Sequence, residues 1–284
     1  MSRHFHRFED YESRLLTPDL STGKAPVIEG TYMYFCLLRK EAGTGSELHY
    51  HPNELLIFPV RGKINAVVGK DRRVVGPGTF VHAPPFARHS MRATEDGPLE
   101  YLYIKDRTWT VVGLAAGEAV PDKAMTLDEI NRLHDAGRKV ERRQADPGRS
   151  PMIVEGLGNC YYPIIDEFDA APVSGRRELW IEGQHLALGF CDLPAGRREP
   201  DVTVAHESFI YVLHGGMRAE AGGEAKDVGP GDIVQLAPGE MLKMAAGDKG
   251  VRFVRVRATD TLQQRIDSMT PEEREVARLN VKAN

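Results

Sequence analysis

Three histidines carry the chemistry that this sequence offers. His49 and His51 are two residues apart, and His89 follows 38 positions later (89 − 51 = 38). On a β-strand, side chains alternate between faces, so a His-x-His pair aims both imidazoles the same way. A third imidazole from a second strand completes a facial set of three nitrogens. Such a set suits Zn, Fe, Ni or Cu and leaves positions open for water or substrate. Glu47, Leu55 and Ile57 share strand parity with the pair and are candidates to line the same cavity, as is His82. No residue is singled out as the acid or base.

Glycine and proline turns frame these residues. Gly43 precedes the pair, Gly62 follows it, and Gly76-Pro77-Gly78 and Pro84 precede His89. Between the turns lie short β-type runs at 32–38, 55–60, 64–68, 79–82 and 99–105. Even spacing of this kind predicts an antiparallel sandwich or barrel. Residues 1 to about 28 read as an irregular arm broken by Pro18, Gly23 and Pro26. Thr126 and Glu129 form a capping-box pattern that opens a helix expected to run to about Arg143. A turn-rich linker at 146–151 follows, then a second β-rich segment from about Leu179 to Ala258. Thr270-Pro271 with an acidic first turn predicts a short terminal helix.

The frame repeats without a gap at a constant offset. Gly43 recurs as Gly196 (196 − 43 = 153), Glu54 as Glu207, Gly62 as Gly215 and Gly76-Pro77-Gly78 as Gly229-Pro230-Gly231. Two long copies indicate two tandem domains and not a solenoid. The expected division is 1–125 for a metal-binding barrel with its arm, 126–150 for a helical linker and 151–284 for a second barrel. His49, His51 and His89 map to Val202, Val204 and Leu242, so the second copy is expected to keep the fold, bind no metal and fill its interior with these apolar side chains.

Both copies resemble the cupin superfamily of small jelly-roll barrels. The family pattern is G-x5-H-x-H-x3,4-E-x6-G followed by G-x5-P-x-G-x2-H-x3-N. Here Gly43, His49, His51 and Gly62 carry the first motif, and Gly78, Pro84 and His89 carry the second. The fold this implies is all-β, two tandem cupin barrels with a few short helices. The family's carboxylate ligand belongs seven positions before Gly62, with six residues between, where this chain has Leu55. Glu54 is one residue too early, and a one-residue slip turns a strand side chain to the opposite face. Glu207 persists in the copy without histidines, which assigns this glutamate a structural role.

The remaining ligand set is similar to that of the three-His Fe(II) dioxygenases of the gentisate and diketone type. The resemblance implies a non-haem Fe(II) dioxygenase acting on a small phenolic, diketone or organic acid, with O2 as co-substrate. Two alternatives stay open. One is a non-redox isomerase or lyase using Zn, Mn or Ni. The other is a sensor or storage module, since cupins host all of these and fold alone does not decide.

Composition bounds the rest. At 284 residues the chain can bury a substantial core. Lys and Arg total 37 against 41 Asp and Glu, a net charge of −4, which gives no electrostatic reason for a nucleic-acid partner. The basic runs Arg138–Arg143 and Arg176-Arg177 read as solvated surface. No apolar run is long enough to cross a membrane. Three cysteines without C-x-x-C spacing fit a reduced, cytoplasmic setting. Exposed sheet edges and the long arm lead to the expectation of a homodimer or larger.

Overall fold

The computed structural model describes residues 3–141, 150–166, 168, 172 and 174–277. They form two jelly-roll barrels that share one apolar joint. The predicted strands are present with small extensions: Met33–Lys40, Leu55–Arg61, Ile64–Val68, Thr79–Ala83 and Leu99–Asp106. In the first barrel, one sheet packs Leu99–Asp106 between Met33–Lys40 and Leu55–Arg61. A second sheet pairs His49–Tyr50 and Ile64–Val68 on either side of His89–Ala93. The second barrel is built on two long bent strands, Ser208–Ala221 and Met241–Ala258, which run antiparallel along most of their length.

Strand parity explains how the chain buries both faces of its central strands. In Met33–Lys40, the side chains of Tyr34, Cys36 and Leu38 fill the first barrel. Met33, Phe35 and Leu37 face the other way, into the core between the barrels. Leu186–Leu193 repeats this: Leu186, Leu188 and Phe190 join the shared core, and Cys191 and Leu193 enter the second barrel. Phe35 and Phe209, one from each half, stack at 4.9 Å across the joint. A strand buried on both faces reads as a near-continuous apolar run, as MYFCLL does at 33–38.

The arm is not irregular. Phe5–Arg7 pairs with Asp232–Leu236 in the second barrel's sheet. Tyr161–Pro163 pairs in the same manner with Thr79–Ala83 of the first barrel. Each copy therefore lends its leading strand to the other, and the sheets do not divide at the sequence boundaries expected above. Tertiary pairing supplied these elements, because two- and three-residue strands carry no periodic signal.

The linker helix is Leu127–Asp135, with the Thr126/Glu129 capping box in place. It stops well before Arg143 because Gly137 adopts φ +66°. The amides of Gly137 and Arg138 then return to the carbonyls of His134 and Leu133, a Schellman ending. Residues 142–149, with most of the turn-rich linker and the end of the basic run, lie outside the described residues. The terminal helix Pro271–Val276 has its Thr270/Glu273 capping box. A further helix, Asp260–Asp267, precedes it and packs Leu262 and Ile266 into the shared core.

A reciprocal pair of glutamates locks the joint. Glu54 accepts the amides of Gln184, His185 and Leu186 at 2.8, 2.7 and 2.8 Å. Glu207 accepts those of Thr31, Tyr32 and Met33 at 2.6, 2.8 and 3.2 Å. The two sets are related by the repeat offset (184 − 31 = 153). The approach requires glycine beside each carboxylate. A Cβ on Gly30 would meet Glu207, and one on Gly183 would meet Glu54.

The two carboxylates differ in one neighbour. His82 Nε2 donates to Glu54 at 2.7 Å, whereas the equivalent position in the second copy is Gln235. Burial alone would raise the Glu54 carboxyl, but the His82 contact and the amides outweigh it and hold it below 4.5. Burial dominates at Glu207, which sits above 4.5 despite its three amides. A depressed carboxylate stabilises the fold above its unfolded pKa and loses that contribution as pH falls through the folded value. Replacing His82 with Ala removes this side-chain donor from Glu54 and leaves it the three backbone amides. The expected loss is about 1.5–3 kcal/mol at pH 7, the range for a hydrogen bond to a charged group. Urea unfolding across pH should show the gap between variant and wild type closing below pH 4.5.

Candidate metal centre

His49, His51 and His89 converge. His49 and His89 are register partners on adjacent strands, and the His51–His89 and His49–His89 ring centroids are 4.7 and 4.3 Å apart. One nitrogen from each lies within 4.8 Å of the other two, a spacing that one metal ion can bridge. Among the described residues this is the only such group of histidine, cysteine or acidic side chains. At the equivalent positions of the second barrel stand Val202, Val204 and Leu242, which offer no ligand atom.

Local backbone fixes which nitrogen faces inward. Each Nδ1 donates to a carbonyl two residues away: His49 to Glu47 at 2.8 Å, His51 to Asn53 at 2.9 Å and His89 to Ala87 at 2.8 Å. Each Nε2 is then the bare lone pair. Those of His51 and His89 are buried with no hydrogen-bond partner among the described residues. A buried acceptor without a partner costs free energy unless something occupies the site. Burial and neighbouring cationic groups push all three imidazoles well below their usual pKa, His89 to about 4. Three neutral rings with converging lone pairs fit a divalent transition metal, and the backbone carbonyls supply the orienting contacts such ligands need.

The other sequence candidates divide. Leu55 and Ile57 are buried in the apolar filling of the first barrel, so Leu55 brings no ligand atom. Glu54 faces the joint, as its parity implied. His82 does not line the cavity. It pairs in register with Leu56, on the face that carries the shared core, and its ring is committed to Glu54. Glu47 is exposed. The parity argument fails there because the paired strand begins only at His49, and Glu47 contributes its carbonyl instead of its carboxylate.

Two lysines were missed. Lys105 is fully buried, lies in register with Leu55 and Tyr34, and donates to the Val111 carbonyl at 2.8 Å. Lys40 is buried in the same interior, donates to the Met91 carbonyl at 2.6 Å and lies 5.7 Å over the Tyr101 ring. Burial pulls Lys105 well below its ordinary range and Lys40 to about 7. Parity was the available signal for Lys105, which is two and four residues from the inward-facing Tyr103 and Tyr101.

The segment after Lys105 closes the barrel mouth. Leu114–Ala115 pairs with His49–Tyr50, and Asn53 donates to the Trp109 carbonyl at 3.1 Å. Gly113 rests against the His49 ring and also lines a cavity of about 210 Å3 with Trp109, Met125 and Ile130. The position of the pattern's second-motif glycine is Phe86, which nevertheless adopts φ +63°. Its amide bonds the His51 carbonyl at 2.9 Å and its carbonyl accepts the Ile153 amide at 2.9 Å. These contacts hold a strained residue between two of the three histidines.

Comparison with known proteins agrees with this geometry. Residues 37–105 match the cupin domain family. That segment is a cupin domain. A search of curated proteins finds no match. Among solved structures, a tryptophan-to-tyrosine variant of oxalate decarboxylase from Bacillus subtilis is 18% identical. It has a TM-score of 0.62, with 92% of this chain and 78% of that one covered. AerE from Microcystis aeruginosa is 11% identical at a TM-score of 0.60, covering 91% of this chain and all of its own. At these identities the likeness is one of fold, and it extends over both barrels.

Gly113→Ala tests the closed mouth. An added Cβ would lie 2.6 Å from His49 Cδ2, so ring or segment must shift. The expected outcome is a metal affinity at least about tenfold weaker, as for disturbed ligand orientation, with an unchanged melting temperature for the metal-free protein. Competition with a chelating dye measures the first and calorimetry the second.

Proposed function

We propose that this chain is a metal-dependent enzyme. Its first cupin barrel holds one divalent transition metal, Fe(II), on His49, His51 and His89. There it oxidises a small phenolic, diketone or organic acid with O2. The observation that carries this reading is the donor set: three neutral imidazoles with fixed tautomers and no carboxylate, because Glu54 is committed to the joint. Bound Fe(II) would supply activation of O2, whereas Zn, Mn or Ni at the same nitrogens would supply a Lewis acid.

The chain's own residues do the rest. The three carbonyl contacts hold the imidazoles at their tautomer and angle. Tyr34, Cys36, Leu55 and Ile57 keep the floor of the barrel dry. Lys105 faces this interior from the strand beside Leu55 and offers a donor to an anionic oxygen of the substrate. The approach runs past Gly113, so entry displaces the segment that Lys105 and Asn53 tether. The second barrel is assigned a structural part in this reaction.

A non-redox reading has one observation in its favour. Lys40, with a pKa of about 7, holds an amine that exchanges protons near neutrality inside the same barrel. An isomerase or lyase needs such a proton carrier, and the fold likeness to oxalate decarboxylase supports this second choice. We also place the protein in the cytoplasm as a homodimer with no nucleic-acid or membrane partner. Three buried free cysteines support the first point. None of the described helices is long and apolar enough to cross a membrane.

The test is O2 uptake by Fe(II)-loaded protein with catechols, gentisate-like phenols, diketones and short dicarboxylates. Uptake with one class supports the dioxygenase. Turnover by the Zn or Mn form with no O2 uptake by the Fe(II) form replaces it with the lyase or isomerase. His51→Ala is expected to lose the metal and all activity while melting as the metal-free wild type does, because the barrels are held by their sheets and joint. Lys105→Met is expected to keep the metal and raise KM about 10- to 100-fold. That corresponds to one hydrogen bond to a charged group.

A further inference from the structure

The second barrel, unlike the first, has an open mouth. A cavity of about 510 Å3 lies beside Val202, and Val202 pairs with Leu242 as His49 pairs with His89. The cavity thus occupies the place where the first barrel gathers its metal ligands. Val204 and Leu242 fill the interior as expected, but Val202 does not. It is 43% exposed and forms part of the cavity wall.

An arginine marks this cavity. Arg255 shares a face of its strand with Val251 and Phe253, which point into the second barrel. It lies in register with Gly189 on the neighbouring strand. A Cβ on Gly189 would lie 2.7 Å from the Trp180 ring, so the missing side chain makes room for the indole over the strand. Arg255 donates to Ser208 Oγ at 3.3 Å, and its Nε is buried with no partner. No carboxylate among the described residues reaches ion-pair distance of it.

The two glutamates in the cavity are already engaged. Glu178 accepts from Arg176 at 2.6 Å and from Trp180 Nε1 at 2.9 Å. Glu199 accepts from Arg176 at 2.9 Å and from Arg197 at 2.8 Å. Three arginines against two glutamates leave one positive charge (3 − 2 = +1). That charge lies on the least solvated of the three cations, since burial lowers the Arg255 pKa from its ordinary value. A half-buried guanidinium whose Nε is without a partner and which has no carboxylate at ion-pair distance is short of acceptors, and a planar carboxylate is its geometric complement. Trp180, Val202, Met244 and Phe253 supply apolar walls. The volume falls in the range of small-ligand sites.

We infer that the mouth of the second barrel is a binding site for a small monocarboxylate with a flat apolar body. The carboxylate takes Arg255 and the body packs between Trp180 and Val202. The site is one of binding and not of covalent chemistry. The nearest nucleophile is the Cys191 thiol, which burial pushes up to about 12.

Benzoate is the probe, titrated by calorimetry into full-length wild-type protein and into the metal-free His51→Ala variant. In that variant the metal no longer takes the carboxylate, and the Arg255 and Val202 substitutions assign the remaining binding to the second barrel. The expected result is saturable binding in both, with benzamide, the uncharged counterpart, failing to bind. Arg255→Gln should weaken benzoate at least tenfold and Arg255→Lys less. Val202→Trp should block the site without touching the arginine. Absence of saturable binding to His51→Ala, or equal affinity for benzamide, overturns the proposal whether or not the Arg255 variants fold. Full benzoate affinity in a folded Arg255→Gln protein overturns it as well.

Discussion

Two buried glutamates hold this molecule together, each accepting the first amides of the other barrel's entering strand. A carboxylate that receives three backbone amides is costly to displace, because every donor it abandons becomes a buried unsatisfied group. The exchange of leading strands acts in the same direction. Phe5–Arg7 completes one barrel and Tyr161–Pro163 the other, so neither barrel has a full sheet without its partner. The shared core of aromatic and branched side chains then forms between faces already in register.

This joint reaches the metal centre through Asp106. Its carboxylate accepts the Glu54 amide at 2.6 Å, His185 Nδ1 at 2.6 Å and Thr108 Oγ1 at 2.6 Å. Its backbone carbonyl accepts from Asn53 at 2.7 Å, and the Asn53 carbonyl orients His51. Burial alone would lower the His185 pKa, but the Asp106 hydrogen bond and charge raise it. The raised His185 therefore contributes stability that is present below its unfolded pKa and is lost as pH rises through the folded value. His51, the start of the mouth-closing segment and the second barrel are thus parts of one hydrogen-bonded unit. Committing Glu54 to that unit is also what leaves the metal centre with nitrogen donors alone.

The two barrels show how one frame supports different chemistry. Gly62 and Gly215 adopt φ of 74° and 70°, and in both places a side chain would collide with a backbone carbonyl across the turn. The turn geometry is thereby fixed while the strand interiors are free to change. Where the first barrel points imidazoles and two lysines into its interior, the second points apolar groups and Arg255. Charge and donor type at a handful of inward positions distinguish the sites, and the sheets that carry them are the same.

Much of this was legible along the chain. His-x-His spacing, the later histidine and the constant offset established the repeat, the barrels and the three converging nitrogens, because each depends on period-two geometry and on turns that only glycine tolerates. Parity also placed Glu54 away from the metal. Contacts between residues far apart in sequence decided the rest. Phe5–Arg7 is a strand only because Asp232–Leu236 offers it an edge. His82 turned outward because the strand that carries it faces the joint, and Glu47 fell just short of the strand its parity assumed. Lys105 and Arg255 look like ordinary surface cations until the fold closes over them. Burial is a property of the assembled structure, and it is burial that converts a common side chain into a charge in need of a partner.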